Sequence, residues 1–427
     1  MSSARLSVLY AEAMAVVASA SSEPAPLASP FSSRTDISHN LQPHYAALRL
    51  IPSRRKLMKS PLYAQIEPAL RSVLSAVETA THAQPAVSQH PPDRLRVVAW
   101  NIQRGRRLEA LKHALQHDPT LREADVLLLS EVDCGMGRSG NRNVSRELAT
   151  ALRMHYAFGV SYLVLGDDVL ENETGEANTL ALAGSAILSR FPIGTTKSLD
   201  LPELKDKFSS KSEKRLGKKR ALAAQLQLPS GDLWVSTCHL DSNASPMQRG
   251  MQLRTLLQEV SAHGTQQLVG GDFNTTTYDA SGTGALVSDL LHKFFTKGFD
   301  ATVDGYMTPE HSYEQPIFTV LAECGFLHEG LNDRSQGTYF YDVDSPYEEA
   351  KLRQKVGLLA TRWLQKRLRP WNGCVPARLD WFVGKNVQPL GAGVVRVPRE
   401  NGILASDHLP IFVDLQLGAA QVTDGIL

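Results

Sequence analysis

The chain has 427 residues, 42% of them hydrophobic, with 45 basic and 44 acidic side chains and a net charge of +1. That is apolar matter enough for one large domain or two ordinary ones, and the balanced charge excludes a protein that holds polyanions by overall charge, leaving only local patches for such work. Four well-separated cysteines (Cys134, Cys238, Cys324, Cys374) without a C-x-x-C pair argue against a disulfide framework or zinc clamp and suit a reducing, cytoplasmic setting; no stretch is long and apolar enough to span a bilayer.

Residues 1–92 are rich in Ala, Ser and Pro, as in SSEPAPLASPFSS and THAQPAVSQHPPD. The early run VLYAEAMAVVASA is interrupted by Glu12 and is weak as a signal peptide. Between the Pro-rich tracts, RLIPSRRKLMKSPLYAQIEPALRSVLSAVETA can form one or two amphipathic helices. The expectation is a mostly flexible leader with a helical piece that docks on the body. Residues 93–418 read as one domain and 419–427 as a tail.

From Leu95 strand-like runs follow closely: LRVVAWNI, DVLLLSEV, SYLVLGD, LALAGSAILSRF, ALAAQLQL, DLWVSTCHL, QQLVGGDF, LDWFVG and LPIFVDLQL. Helical patterns interleave, among them RLEALKHALQH, NVSRELATALRM and PMQRGMQLRTLLQEVSA, and PYEEAKLRQKVGLLATRWLQKRL reads as one long helix. Several strands follow one another without a helix between them. That order predicts an α/β protein with mixed sheets and outer helices, not a purely parallel doubly wound sheet.

Polar side chains recur where these strands end. VLLLSEVD delivers Glu131 and LVGGDFNTT delivers Asp272 with Asn274. Residues i and i+2 of an extended segment point the same way, so a carboxylate and an amide reach one point, and the twin glycines allow close backbone approach. SDHLPIFVDL sets Asp407, an oxygen ligand for a hard cation, beside His408, an imidazole that moves protons. STCHLDSN ends in His239 and Asp241. Asp380 in RLDWFVG lies in an apolar strand and needs a buried partner, for which His408 is the natural candidate. Asn101 in AWNIQ orients a ligand or caps a turn. Each has a plain alternative: a solvated acid for Glu131, an Asx turn for Asp272–Asn274, a surface loop for Asp407–His408, a structural imidazole for His239. Their joint occurrence at successive strand ends favours metal-assisted cleavage of a phosphate ester.

Two other features compete. Gly135, Gly137 and Gly140 form a literal G-x-G-x-x-G before a helix pattern and a strand ending near Asp167, the order of a dinucleotide-binding unit. That reading leaves Asp272, Asn274, Asp407 and His408 without a task. Basic residues crowd Lys205 to Arg220 and recur at Arg353, Lys355, Arg362, Lys366, Arg367 and Arg369 beside Trp363 and Trp371. Such stretches are solvated faces, or contacts for single-stranded nucleic acid or a phospholipid surface.

The ordered set N-x-Q, S-E-V-D, T-C-H-L-D, G-D-F-N, L-D-W-F and S-D-H-L-P resembles the endonuclease/exonuclease/phosphatase superfamily, the DNase I-like proteins, over about residues 95 to 418. The resemblance implies a four-layer α/β sandwich: two mixed β-sheets face to face with helices on the outer faces, and a site at one rim that uses Mg²⁺ or Mn²⁺. It implies that Glu131 ligates the metal, with Asp407 and Asn101 at or near it. Asp272 and Asn274 then position the attacking water and the phosphate. His408, steered by Asp380, acts as base or transition-state stabiliser, and His239 protonates the leaving oxygen or binds developing charge. Arg138, Arg142 and Asn143, in the loop GMGRSGNRN, are expected to contact substrate phosphate. Gln103 departs from the family's usual acid or Asn, Ser185 replaces a common Asn, and the span from Asn274 to Asp380 is long enough for an accessory helix. The expected reaction is phosphoester hydrolysis, with nucleic acid favoured over a phospholipid or small phosphorylated molecule, and a non-catalytic binding protein as the remaining reading.

Overall fold

The computed structural model describes residues 29–166, 175–209, 213–279, 282–311, 313–397 and 404–417. Its strands, in chain order, are β1 (Phe31–Thr35), β2 (Val77–His82), β3 (Arg94–Arg104), β4 (Val126–Cys134), β5 (His155–Val164), β6 (Leu182–Ser189), β7 (Ile193–Asp200) and β8 (Arg215–Gly217). They continue with β9 (Arg220–Leu228), β10 (Gly231–His239), β11 (Gln267–Asp272), β12 (Tyr339–Asp342), β13 (Cys374–Ala377), β14 (Asp380–Lys385), β15 (Gln388–Val394) and β16 (Ile411–Gln416).

Nine strands make one sheet in the order β1-β2-β5-β6-β4-β3-β16-β15, with β8 against β5; a second sheet runs β14-β11-β10-β9-β7, and β12 pairs with β13. Each large sheet is mixed: β3 and β4 are parallel in the first, β10 and β11 in the second, and their neighbours are antiparallel. Alternation along the strands then sets the layers. On β3, Leu95, Val97 and Ala99 meet Leu222, Val235, Leu268 and Phe382 of the second sheet in a shared core. Val98, Trp100 and Ile102 point the other way, onto helices Leu108–His117 and Val144–Leu152. The outer face of the second sheet, with Val269, Trp381 and Val383, packs on helices Pro246–Ser261 and Gln315–Cys324. This is the expected four-layer sandwich. Strand β5 is buried at all ten positions, the polar His155 and Ser161 included, because both its faces are covered.

The expected leader differs. β1 and β2 extend the larger sheet through β5, and Leu48, Leu57 and Ile66 of the intervening helices are fully buried. Residues 31–82 are therefore part of the domain, while residues 1–28 and the tail 419–427 lie outside the described residues. The tie is partly polar: buried Glu78 on β2 accepts hydrogen bonds from the Tyr156 hydroxyl (2.6 Å), the Asn143 amide (2.7 Å) and the Ile37 N–H (3.1 Å). The single long helix expected near the C-terminus is two, Pro346–Val356 and Leu358–Arg367, parted at Gly357, whose φ of +83° a side chain resists. Trp363 and Trp371 pack edge-on or tilted against Phe299 in a small satellite core, and Arg367 lies over the same ring. Among the described residues no helix is long and apolar enough to cross a membrane.

Candidate active site

Three strand ends of the second sheet lie level: His239 on β10 is opposite Asp272 on β11, which is opposite Asp380 on β14. The preceding glycines make that alignment possible. A Cβ at Gly271 would lie 2.2 Å from the Cys238 carbonyl oxygen, and one at Gly270 2.6 Å from the Phe382 ring.

Asp272 is the hub. Its buried carboxylate accepts from the Asn274 N–H (2.8 Å) and from the Asn101 amide (3.1 Å) at the end of β3, and lies 3.5 Å from His239 Nε2 and 3.8 Å from His408 Nε2. The Asn274 amide donates to the Leu240 carbonyl (2.9 Å). The Asp407–His408 loop is tied to the first sheet, because the Ser406 hydroxyl donates to the Asn101 carbonyl (2.6 Å) and the Trp100 indole N–H to the His408 carbonyl (2.9 Å). His408 Nδ1 meets Asp380 Oδ2 at 2.8 Å, as its sequence pairing implies. Half-buried Asp407 has its Oδ1 3.4 Å from the Ser406 hydroxyl. Glu131 sits where β4 slips register against β6, with φ +52°; one carboxylate oxygen is 3.9 Å from His239 Nε2, the other 3.6 Å from Arg104 Nε. Gln103, Arg104 and Asn274 also have positive φ, so the rim concentrates backbone strain beside these groups. Gln103 meets Asn101 through its backbone N–H, which donates to Asn101 Oδ1 (3.1 Å).

The two imidazoles have opposite surroundings. Burial pulls His239 down to about 4, with the Lys219 ammonium acting in the same sense. Burial opposes charge on His408 too, but the Asp380 and Asp272 carboxylates outweigh it and lift His408 to about 10. Burial raises Asp272. Burial also opposes ionisation of Glu131, yet the charges of Arg104, His239 and Lys219 hold it well below the usual carboxylate range. Near pH 7 His239 is neutral and His408 cationic.

Asp272, Asp380 and His408 each place one ligand atom within 4.8 Å of the others, a cluster able to hold a metal ion. The donor chemistry fits a hard cation: Asp380 Oδ1 is buried without a partner among the described residues, and Glu131 offers oxygens on the cleft side. His408 Nδ1 is already engaged with Asp380, so the carboxylates are the better ligands of that cluster.

Glu131 and His239 line a cleft of about 200 Å³, together with Arg104, Lys207, Lys219 and Asp241. Lys207 bonds Asp241 (3.0 Å). Lys219, which sequence reasoning missed as an individual, comes from the Lys205–Arg220 stretch; that run reads as one basic block, and only folding directs this member at the acids. Thr338 was missed as well: its hydroxyl oxygen accepts from the Leu379 and Asp380 N–H groups (3.0 and 3.1 Å) and fixes the end of β14.

The loop Gly135–Asn143 requires correction. Arg138 borders the cleft, but its guanidinium is buried between Asp133 and Glu213, at 2.7 and 2.5 Å. Arg142 pairs with Glu109 and Glu147, and Asn143 caps helix Val144–Leu152 and bonds Glu78. Their hydrogen-bonding capacity goes to the fold; for Arg138 and Asn143 the reason is that buried carboxylates require cationic or N–H partners. The dinucleotide reading also fails in its geometry: β6 is inserted between β4 and β5, and the Gly137 N–H is taken by the Asn178 side chain. Asp167 lies outside the described residues.

No curated protein matches the chain. Among solved structures it is similar to an endonuclease/exonuclease/phosphatase from Beutenbergia cavernae DSM 12333 (19% identity over 78% of this chain and 73% of that one, TM-score 0.48). It is also similar to the human nocturnin catalytic domain (16%, 78% and 99%, 0.42) and to a 3′-5′ exonuclease from Neisseria meningitidis (15%, 75% and 100%, 0.42). The Endonuclease/Exonuclease/phosphatase family matches residues 98–408, a span that holds Asn101, Glu131, His239, Asp272, Asp380 and His408 alike. With most of its length inside that match, this chain belongs to the endonuclease/exonuclease/phosphatase family.

Proposed function

We propose that this protein is a divalent-metal-dependent phosphodiesterase that cleaves nucleic acid by in-line attack of water, with Mg²⁺ or Mn²⁺ as the ion. The observation that carries the reading is the convergence on Asp272 of Asn101, Asn274, His239 and His408, from strands and loops far apart in sequence. Glu131, Asp407 and the Asp272–Asp380 pair are the ligands available to the ion, which when bound neutralises phosphate charge and stabilises the leaving oxygen. Asp272 takes the proton of the water, and Asn274 holds that water or the phosphate. His408, kept cationic by Asp380, faces developing negative charge, and neutral His239 hydrogen-bonds a phosphoryl or leaving oxygen. The cleft's Arg104, Lys207 and Lys219 favour an anionic backbone.

A phospholipid is the second reading, favoured by exposed Leu359 on the basic helix Leu358–Arg367 and exposed Phe295 on helix Thr283–Thr296, whose Phe294 ring lies 6.0 Å from that of Trp363. The test is turnover of plasmid DNA, single-stranded RNA, sphingomyelin and bis-p-nitrophenyl phosphate with Mg²⁺, for wild type beside His408→Ala. Nucleic acid cleavage that falls steeply with salt is the expected result; hydrolysis of sphingomyelin with DNA and RNA untouched overturns the reading.

A further inference from the structure

We propose that the segment preceding the family-matched region builds a nucleoside-binding compartment beside the catalytic cleft. The proposal rests on the phosphodiesterase reading and names the group its substrate carries. Helices Arg54–Met58 and Pro61–Ser75 both lie ahead of residue 98, where the family match begins. With β8 they enclose a cavity of about 350 Å³. Ser161, Arg215 and Arg220 line both this cavity and the cleft that holds Glu131 and His239, so the two spaces meet at a common wall.

The compartment is built rather than incidental. Arg54 is ion-paired with Glu203 across it, and the Lys214 ammonium donates to the Arg49 carbonyl at 3.0 Å. β8 approaches so closely that a Cβ at Gly217, where φ is +113°, would lie 2.3 Å from the Ser161 carbonyl oxygen and 3.0 Å from Leu74. These contacts clasp the extension onto the edge of the site.

Its chemistry selects the occupant. The lining carries five cations and four carboxylates, several already paired: Arg71 with Glu67, and Lys218 and Arg220 with Asp200. Near-neutral charge does not call for a second phosphate. An acyl chain would strip water from those charged groups at high cost. An uncharged ring system that both donates and accepts hydrogen bonds fits, with Tyr63, Leu70 and Leu74 offering apolar surface to its faces. The volume lies in the range of ordinary small-molecule sites. A nucleoside joined to the scissile phosphate satisfies each condition.

The test compares two chromogenic diesters with the same leaving group: thymidine 5′-(p-nitrophenyl phosphate), which carries a nucleoside, and bis-p-nitrophenyl phosphate, which does not. Tyr63→Ala removes the ring, and Ser75→Trp, at an exposed position, fills the cavity. KM for the thymidine ester is expected to rise about 5- to 100-fold in both variants, the range that base stacking carries, with kcat and all constants for the other ester within twofold. Thymidine binding, followed by calorimetry, is expected in wild type and lost in Ser75→Trp. Equal effects on both esters, no effect on either, or a defect confined to sphingomyelin vesicles overturns the compartment. Absence of turnover of either ester by wild type, with thymidine binding still lost in Ser75→Trp, defeats the phosphodiesterase reading and leaves the compartment standing.

Discussion

Asp380 opens β14 and His408 lies in the loop before β16, yet Nδ1 of the histidine and Oδ2 of the aspartate are 2.8 Å apart in a buried setting. The bond fixes the ring so that Nε2 is turned toward Asp272, at 3.8 Å. In Asp380→Asn the amide keeps the shape and removes the charge, and kcat is expected to fall about 10²-fold with KM nearly unchanged. Steady-state kinetics on bis-p-nitrophenyl phosphate decide it; a matching rise in KM points instead to lost binding.

The same pair sets a pH dependence. A folded value of about 10 against an ordinary 6.5 means that His408 contributes stability in full below 6.5 and loses it as pH rises through 10. Metal-free wild type is expected to lose thermal stability between pH 7 and 10 more steeply than Asp380→Asn. Imidazole NMR of the variant should show His408 titrating closer to 6.5. Parallel pH profiles for the two proteins contradict the assignment.

Asp272→Asn keeps the side-chain shape and one acceptor oxygen, which serves the Asn274 N–H, and gives up the acceptor for the Asn101 amide, so the fold is expected to survive while kcat falls at least about 10²-fold. Lys219→Met removes a cleft cation without touching that hub, and is expected to raise KM for an anionic diester and leave kcat within a few fold. Circular dichroism with initial-rate kinetics distinguishes these from unfolding.

Buried carboxylates converging on one point repel one another until a cation joins them. Chelation is expected to abolish turnover, and Mg²⁺ at 100 times its Kd to add about 2.7 kcal/mol of stability, read as a higher thermal midpoint. An unchanged midpoint at saturating Mg²⁺ and Mn²⁺ argues against a resident ion. Glu131→Gln should weaken the shift.

Arg138 is expected to matter for stability rather than substrate. Arg138→Met strands Asp133 in the interior and leaves Glu213 to Arg215 alone, a loss of about 3–5 kcal/mol in urea unfolding. The variant's KM at a temperature where it remains folded should match wild type.

Strand ends that carry Glu131, His239, Asp272 and Asp407 were legible because buried strands are apolar runs and an acid or imidazole closing such a run stands out. β1 and β2 were not. FSSRT is exposed at four of five positions, and VETATH buries Glu78 and His82, so neither shows the apolar alternation that marks a strand. What recruits them is tertiary: hydrogen bonds from Tyr156 and Asn143 to Glu78 cannot be seen in local composition. Arg138 is legible only in part: Asp133 is five residues away, but Glu213, the second carboxylate that holds its guanidinium, is far along the chain.

His239, Asp272 and Asp380 stand directly opposite one another across three neighbouring strands. Slippage of either strand by a single residue would turn its functional group to the opposite face of the sheet. Competence therefore reports on strand alignment itself. A misthreaded chain could retain secondary structure and compactness yet be inert, so specific activity per folded molecule would gauge how faithfully preparations of this protein reach their native pairing.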